Sequence, residues 1–323
     1  MEIRNPGTYN LEPSVLISDL HKDYAGEHAL KGVGFSVSSG SLFGIIGADG
    51  AGKSSLLSVC TTLVNADRGS ALVLGKDVGK EYRFLRTKIG YMPQKFSLYQ
   101  DLTVGENMLF FADIFGVEGP TRRERMQRLL SFSRLEPFVN RRARDLSGGM
   151  KQKLALCCTL IHTPAILFLD EPTTGVDPVS RREFWEILFD LKKQGTTIVL
   201  STPYMDEAQK CDELLFLHRG LVMRQGRPTD LLAAYPYPLF SVESAGAMLS
   251  YPHSSPVPEG IALMYPGEGT LRVAAKDASV DETTVLSIVK SVLPQAASVR
   301  RVQPKIEDLF IHLLSDQDSQ DLK

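Results

Sequence analysis

The sequence predicts an α/β fold with a parallel-sheet core, a helical subdomain inserted into it, and a small α+β domain towards the C-terminal end. Three observations carry the prediction. Short apolar runs alternate with helical patterns from about residue 14 to 233. The stretch from about 104 to 162 is mostly helical and has few strand signals. Near YPYPLF (235–240) the texture changes to short apolar runs divided by loops.

The elements follow in order. SLFGIIG (41–47) is an apolar run ending in glycine. After it, Leu56, Leu57, Cys60, Leu63 and Val64 are spaced for one buried helix face. AILFLD (165–170) and TTIVLST (196–202) read as buried strands, with the helix REFWEILFDLKKQG between them. Strand–helix–strand of this kind implies a parallel sheet with helices on its faces. In the tail, PLFSVES, GIALMYP, TLRVAAK and SVRRVQP are strand-like, and the helix TTVLSIVKSVL precedes the last of these. SSPVPEG is a loop, IEDLFIHLL a short amphipathic helix, and SDQDSQDLK is expected to fray. The expected domains are 1–233 and 234–323; a ferredoxin-like arrangement is one that the second allows.

Of 323 residues, 43% are hydrophobic and 23% charged, enough apolar material for a sizeable core. The net charge of -2 excludes a strongly basic nucleic-acid footprint over the whole chain, and no nucleic-acid partner is expected. No apolar run approaches the ~18–20 residues that cross a bilayer. The opening MEIRNPGTYNLEPS lacks the apolar core of a signal peptide. A cytoplasmic chain is therefore expected, and any work at a membrane would need a spanning partner. Cys60, Cys157, Cys158 and Cys211 show no CxxC spacing and read as buried thiols.

Gly47-Ala48-Asp49-Gly50-Ala51-Gly52-Lys53-Ser54 fits G-x-x-x-x-G-K-[ST] between a strand and a helix. Glycines let backbone N–H groups wrap a triphosphate, and the helix that follows turns its positive end to it. Lys53 is placed for the β- and γ-phosphates and Ser54 for Mg²⁺. By itself the motif implies a nucleotide binder and no more.

Leu146-Ser147-Gly148-Gly149-Met150 opens a second helix, with Ser147 as its N-cap. It offers a second helix-end anion site, although S-G-G before a helix also serves as a plain cap. Asp170 and Glu171 close the strand AILFLD at the edge where α/β sheets bind ligands. Asp170 suits the Mg²⁺ shell, and Glu171 suits a general base that polarises a water.

Together these residues resemble the ATP-binding cassette (ABC) family over about residues 14–233. The resemblance implies a P-loop NTPase cassette fold, with ATP and Mg²⁺ as ligands. It places the Walker A motif on 47–54, with Ala48, Asp49 and Ser55 as compatible variations. The signature motif falls on 146–150, and the Walker B motif ends at Asp170. Glu171 matches the catalytic glutamate. Gln94, in YMPQKFSLYQDLTV, matches the glutamine that senses Mg²⁺ and faces the membrane subunit. Tyr24 matches the aromatic that stacks on adenine, and Asp177 the loop that couples two sites. By the same resemblance two cassettes pair head to tail, so that Ser147 and Gly149 of one meet the nucleotide of the other. Integral membrane permease subunits are the implied partners, at the cytoplasmic face of the cell membrane. GADGAGKSS, GYMPQKFSLYQDLTV, LSGGMKQKLAL and STPYMDEA are most similar to bacterial multidrug-type exporter cassettes, particularly the N-terminal cassette of tandem YbhF-type efflux ATPases. The tail ending in IEDLFIHLL resembles the accessory domain of that branch.

The chain departs from the family at the switch histidine, where Pro203 stands. Proline offers neither a side-chain donor nor an N–H to a γ-phosphate. Tyr204 is offset by one and is expected to point elsewhere. His218 lies too far along and reads as an edge or turn residue. Hydrolysis at this chain's own Walker site is thereby placed in question. Two alternatives remain open: a nucleotide-binding regulatory half of a heterodimer, and a soluble cassette acting on DNA or ribosomes. An apolar group just after Gln94, namely Phe96, Leu98 and Tyr99, is expected as an exposed docking face.

Overall fold

A computed structural model describes residues 12–95, 98–244, 257–267 and 269–321. The chain divides into two compact units, Met1–Pro228 and Thr229–Lys323.

In chain order the first unit contains β1 (Val15–Tyr24), β2 (Glu27–Val37), β3 (Leu42–Ile46), α1 (Lys53–Cys60), β4 (Arg68–Val73), β5 (Lys76–Asp77), α2 (Tyr82–Arg86) and β6 (Ile89–Met92). Then follow α3 (Val104–Ile114), α4 (Gly119–Ser133), α5 (Gly148–Leu160), β7 (Ile166–Asp170), α6 (Pro178–Lys193), β8 (Thr197–Thr202), α7 (Met205–Ala208), β9 (Glu213–His218) and β10 (Leu221–Gly226). α8 (Pro228–Ala233) crosses the boundary between the units.

Six strands form one sheet in the order β10-β9-β3-β8-β7-β6. All neighbours in it are parallel except β9 and β10. β3, β7 and β8 are buried along their whole length, which is why they read as unbroken apolar runs rather than alternating ones. The predicted helix between β7 and β8 is α6, and the predicted helical stretch is α3, α4 and α5.

A second sheet, antiparallel in the order β2-β1-β4-β5, was not expected from the sequence. Its inner residues Val15, Ile17, Phe35 and Val73 share a core with Phe43, Ile45 and Phe168 of the parallel sheet. Phe35 stacks on Phe43 at a centroid distance of 5.5 Å. All four cysteines are buried, and burial pushes the Cys60 thiol up to about 12. The buried face predicted for α1 needs one correction. The helix stops at Cys60, Thr62 takes a left-handed φ of 63°, and Leu63 beyond it is 55% exposed.

The second unit carries β11 (Leu239–Ser244), β12 (Ile261–Pro266), β13 (Leu271–Ala275), α9 (Glu282–Val292), β14 (Ala296–Val302) and α10 (Ile306–Asp321). Its antiparallel sheet runs β12-β13-β11-β14, and α9 packs on β14. β11 lies between β13 and β14, the two strands that α9 joins. This is the split arrangement of a ferredoxin-like sheet. The link from β11 to β12 includes residues 245–256, which lie outside the described residues, as does the first part of the SSPVPEG loop. The expected fraying after Leu314 is corrected. α10 continues through Asp321, helped by His312 Nε2 lying 3.4 Å from Asp316 Oδ2 one turn on.

Candidate functional site

The parallel strands β3, β8, β7 and β6 deliver their carboxyl ends to one edge of the sheet. From that edge emerge the 47–52 loop, Pro203, Glu171 and Gln94 in turn. β3 and β7 both flank β8, so loops far apart in sequence leave the sheet side by side.

The 47–52 loop enters α1 through Gly52, whose φ of +103° and close approach to Ala29 O would put a Cβ 2.5 Å from that oxygen. No larger residue fits there. α1 has neither a side-chain cap nor an acidic residue in its first turn, unlike α3, capped by Thr103, and α6, capped by Asp177. Its positive end therefore faces the cleft without internal neutralisation. Lys53 curls back over the loop, donating to the carbonyls of Gly47 (2.9 Å) and Ala48 (3.1 Å).

The third partner of Lys53 is Glu171, at 3.1 Å, and both side chains are buried. Glu171 sits at a φ of +49°, a left-handed conformation costly for a residue with a side chain and typical of constrained functional positions. Its N–H donates to Ser201 Oγ (3.0 Å) and Ser201 O (3.2 Å). Its Oε2 accepts from Gln94 Nε2 (2.9 Å) and Thr174 Oγ1 (3.3 Å). Ser201 Oγ in turn donates to Asp170 Oδ1 (2.6 Å), so one hydroxyl ties the Asp170 carboxylate to the backbone N–H of Glu171. Tyr91 has its phenol pushed up to about 12, first by burial and then by the nearby charge of Asp170.

A cleft of about 680 Å³ opens over Lys53, Gln94 and Glu171, whereas Gly47, Ala48 and the buried Asp170 do not line it. Tyr24, Asp49, Gly50, Ala51, Gly52, Lys53, Ser54, Ser55, Gln94 and Glu171 all line it. Tyr24 is 42% exposed, and Lys22 Nζ is 5.2 Å from its ring centroid. Arg219 and Lys31 also line the cleft, and the sequence reading had not selected them. The only sequence signal for Arg219 is its place before Gly220 in the β9–β10 turn. Ser201 was missed too, although two successive hydroxyls, Ser201 and Thr202, after the apolar Ile198, Val199 and Leu200 could have marked it.

Ser147 and Gly149 lie elsewhere and do not line the cleft. Ser147 caps α5, accepting from Met150 N at 3.3 Å, and is exposed together with Gly148. Gly149 is buried; a Cβ there would meet Ser180 Cβ at 2.2 Å, so α5 packs directly on α6. Asp177 accepts from Val179 N and Ser180 N at the start of α6, and the Ser180 backbone bond holds its carboxyl below the usual range. Pro203 is half-buried and does not line the cleft, and Tyr204 turns its ring to Arg181, 4.3 Å from the guanidinium carbon. His218 ends β9, as an edge residue should.

The docking face predicted after Gln94 is corrected in part. Leu98 is only 7% exposed and belongs to the interior, whereas Tyr99 is 49% exposed. Tyr99 is fixed by Asn107, whose amide exchanges hydrogen bonds with the Tyr99 backbone, and that fold of the chain turns Leu98 inward. Phe96 lies outside the described residues. Among the described residues no helix is long and apolar enough to cross a membrane.

Comparisons with known proteins point to one family. A family profile described as "ABC transporter" matches residues 30–174. The chain is 37% identical over 93% of its length to "Probable multidrug ABC transporter ATP-binding protein YbhF" of Escherichia coli (strain K12), and covers 52% of that protein. It thus spans about half the length of that relative. It is 41% identical over 67% of its length to "Nod factor export ATP-binding protein I" of Rhizobium etli, covering 68% of it. Among solved structures, an ATP-binding subunit of an ABC transporter superposes with a TM-score of 0.63 at 29% identity, over 68% of this chain and 92% of that one. A dimeric ATP-binding cassette in a post-hydrolysis state, bound to ADP and Pi, gives 0.61 at 27% identity, over 66% and 98%. The match of motifs, cleft and relatives places this chain in the ABC transporter family, as one of its ATP-binding cassettes.

Proposed function

We propose that the chain binds and hydrolyses MgATP in this cleft and, paired with a second cassette, drives an exporter through membrane permease subunits. The observation that carries the proposal is the meeting of Lys53, Glu171 and Gln94 at the carboxyl edge of the parallel sheet. Export is supported by the names of the relatives, one a multidrug and one a Nod factor export protein.

The uncapped N-terminus of α1 and the bent-back Lys53 fit a triphosphate: fixed N–H dipoles and one ammonium converge where negative charge would lie. Tyr24, exposed at the mouth of the cleft, provides a ring on which a base can stack. The exposed Ser54 hydroxyl and Asp170, whose Oδ1 is ordered by Ser201, are the groups that would hold Mg²⁺. Bound there, the ion would neutralise charge on the phosphate oxygens.

When Lys53 turns to phosphate, Glu171 loses its ammonium partner and keeps Gln94 and Thr174 at Oε2. Oε1 is then the oxygen placed to take a proton from water. Gln94 orients the base and reaches it from just beyond β6. Ser147, exposed at the end of α5, is the group that would complete the site of a paired cassette. The second unit is proposed as an accessory domain.

Pro203 favours a second reading, in which this chain is the weaker half of a heterodimer. Its ring stands outside the cleft and brings no donor to it. Glu171→Gln tests the primary reading. The variant should bind MgATP while phosphate release slows by about 10²–10⁴. Unchanged turnover would remove Glu171 from the role of base.

A further inference from the structure

Glu207 is the most enclosed carboxylate near the site, at 0% exposure, and the motifs assign it nothing. Its Oε1 accepts from Thr173 Oγ1 (2.7 Å) and Trp185 Nε1 (3.1 Å). Its Oε2 accepts from Thr202 Oγ1 (2.7 Å). Arg181 Nε, buried and without a hydrogen-bond partner of its own, lies 3.7 Å from Oε1.

These donors come from three separate segments. Thr173 is two residues past Glu171. Thr202 ends β8 immediately before Pro203, and its hydroxyl also accepts from Tyr204 N (3.1 Å), fixing the turn that holds the proline. Trp185 and Arg181 belong to α6, the helix on which Gly149 of the signature segment packs. A buried carboxylate is a costly way to fill space, and apolar replacements of buried ionic groups are often as stable or more so. What an apolar side chain could not do is accept hydrogen bonds from all three segments at once.

We propose that Glu207 is a positioning residue: it fastens the Glu171 loop and the Pro203–Tyr204 turn to α6, so that a shift of Glu171 on nucleotide binding is passed to that helix. The proposal rests on the MgATP reading above. Thr173 is the arm towards the base, Thr202 the arm towards the proline turn, and Trp185 the arm towards the helix. Trp185 is also the only tryptophan in the sequence, so its emission reads the carboxylate it donates to.

The test uses the full chain, with MgATP titrated by calorimetry while Trp185 emission is followed. In the unaltered protein the emission should change with the same half-saturation as binding. Thr173→Val removes one hydroxyl from a buried site. It should bind MgATP within about threefold of the parent, lose most of the emission change, and turn over about 10²-fold more slowly. Glu207→Gln keeps an oxygen towards Thr173 and Trp185, and Thr202 can still accept an N–H; it should retain the emission change. If Thr173→Val does not fold, Thr202→Val interrupts the other arm and should slow turnover in the same way, with binding kept. Binding without any change in Trp185 emission would overturn the proposal while leaving the MgATP reading intact. So would a Thr173→Val chain with unaltered signal and turnover, or affinity and turnover falling together, the mark of a merely structural residue. No MgATP binding in the unaltered chain would sink the MgATP reading, and the proposal with it.

Discussion

Lys53 and Glu171, 118 positions apart in the sequence, form a buried ion pair at 3.1 Å on the floor of the cleft. Lys53 and the proposed base thus compensate each other's charge. Removing one partner leaves the other buried and short of a counter-ion, at a cost on the order of 3 kcal/mol. Lys53→Ala should therefore lower the melting temperature as well as abolish most MgATP binding. The double variant Lys53→Ala, Glu171→Gln should recover the stability but not the binding. Thermal unfolding of the four proteins checks this; a double variant no more stable than Lys53→Ala would show that the pair is not coupled.

Of the docking group read from the sequence, Leu98 is withdrawn by its burial, Phe96 lies outside the described residues, and Tyr99 carries the proposed contact with a membrane subunit. Its ring is half exposed and meets Phe110 edge to face at 4.5 Å, so it is held rather than free to fold back. Tyr99→Ser should reduce recovery of the chain with membranes while leaving MgATP affinity unchanged. Full membrane recovery would return Tyr99 to local packing.

The site was legible where its chemistry is local. Gly52, Lys53 and Ser54 are consecutive in one motif, and Asp170 and Glu171 adjoin at a strand end, so local pattern singled them out, while Gln94 and Tyr24 were read only through the family resemblance. The support around them was not legible. Ser201 orders Asp170 from 31 positions away, and Glu207 reaches Thr173 from 34, because β8 lies beside β7 in the sheet. No periodicity encodes that adjacency. The antiparallel sheet escaped for a different reason. β1 shifts register between Ile17 and Leu20 and again near His21, with Asp19 at a φ of +47°, so its inward residues lose the period of two. Leu63 and Leu98 failed as apolar-equals-buried and apolar-equals-exposed readings respectively; a helix end decided the first and the Asn107 bonds the second.

Acid should weaken the second unit through the cap of α9. Asp281 accepts from Thr284 and Thr283, and these bonds lower its carboxyl from 3.8 to about 2. The folded state then holds fewer protons than the unfolded state between those values. The stabilisation is fully present above about pH 5, and is lost as pH falls through the unfolded value towards 2. Asp281→Ala should flatten this part of the melting-temperature profile and lower stability at neutral pH. A variant with the parent's acid slope would put the dependence on other carboxylates.

Whether this cassette works alone is tested through Pro203. It follows Thr202, whose hydroxyl is committed to Glu207 and to the N–H of Tyr204, and Tyr204 is turned away against Arg181. Neither neighbour is placed to supply the donor that proline lacks. In a pair of identical chains both composite sites would lack the switch histidine. Beside a different cassette only one would, and Ser147 of this chain would complete the partner's site. The purified chain without another cassette should therefore hydrolyse ATP weakly. Pro203→His should raise the rate, since a side-chain donor would return at the carboxyl end of β8 without altering Lys53 or Glu171. Adding a cassette with a complete motif set should raise it further, and Ser147→Ala in this chain should cancel that gain. Phosphate release measured on the four combinations separates the cases. Robust hydrolysis by the unaltered chain alone, unchanged by Pro203→His, would mean that the γ-phosphate is held by other groups and that an asymmetric pair is not needed.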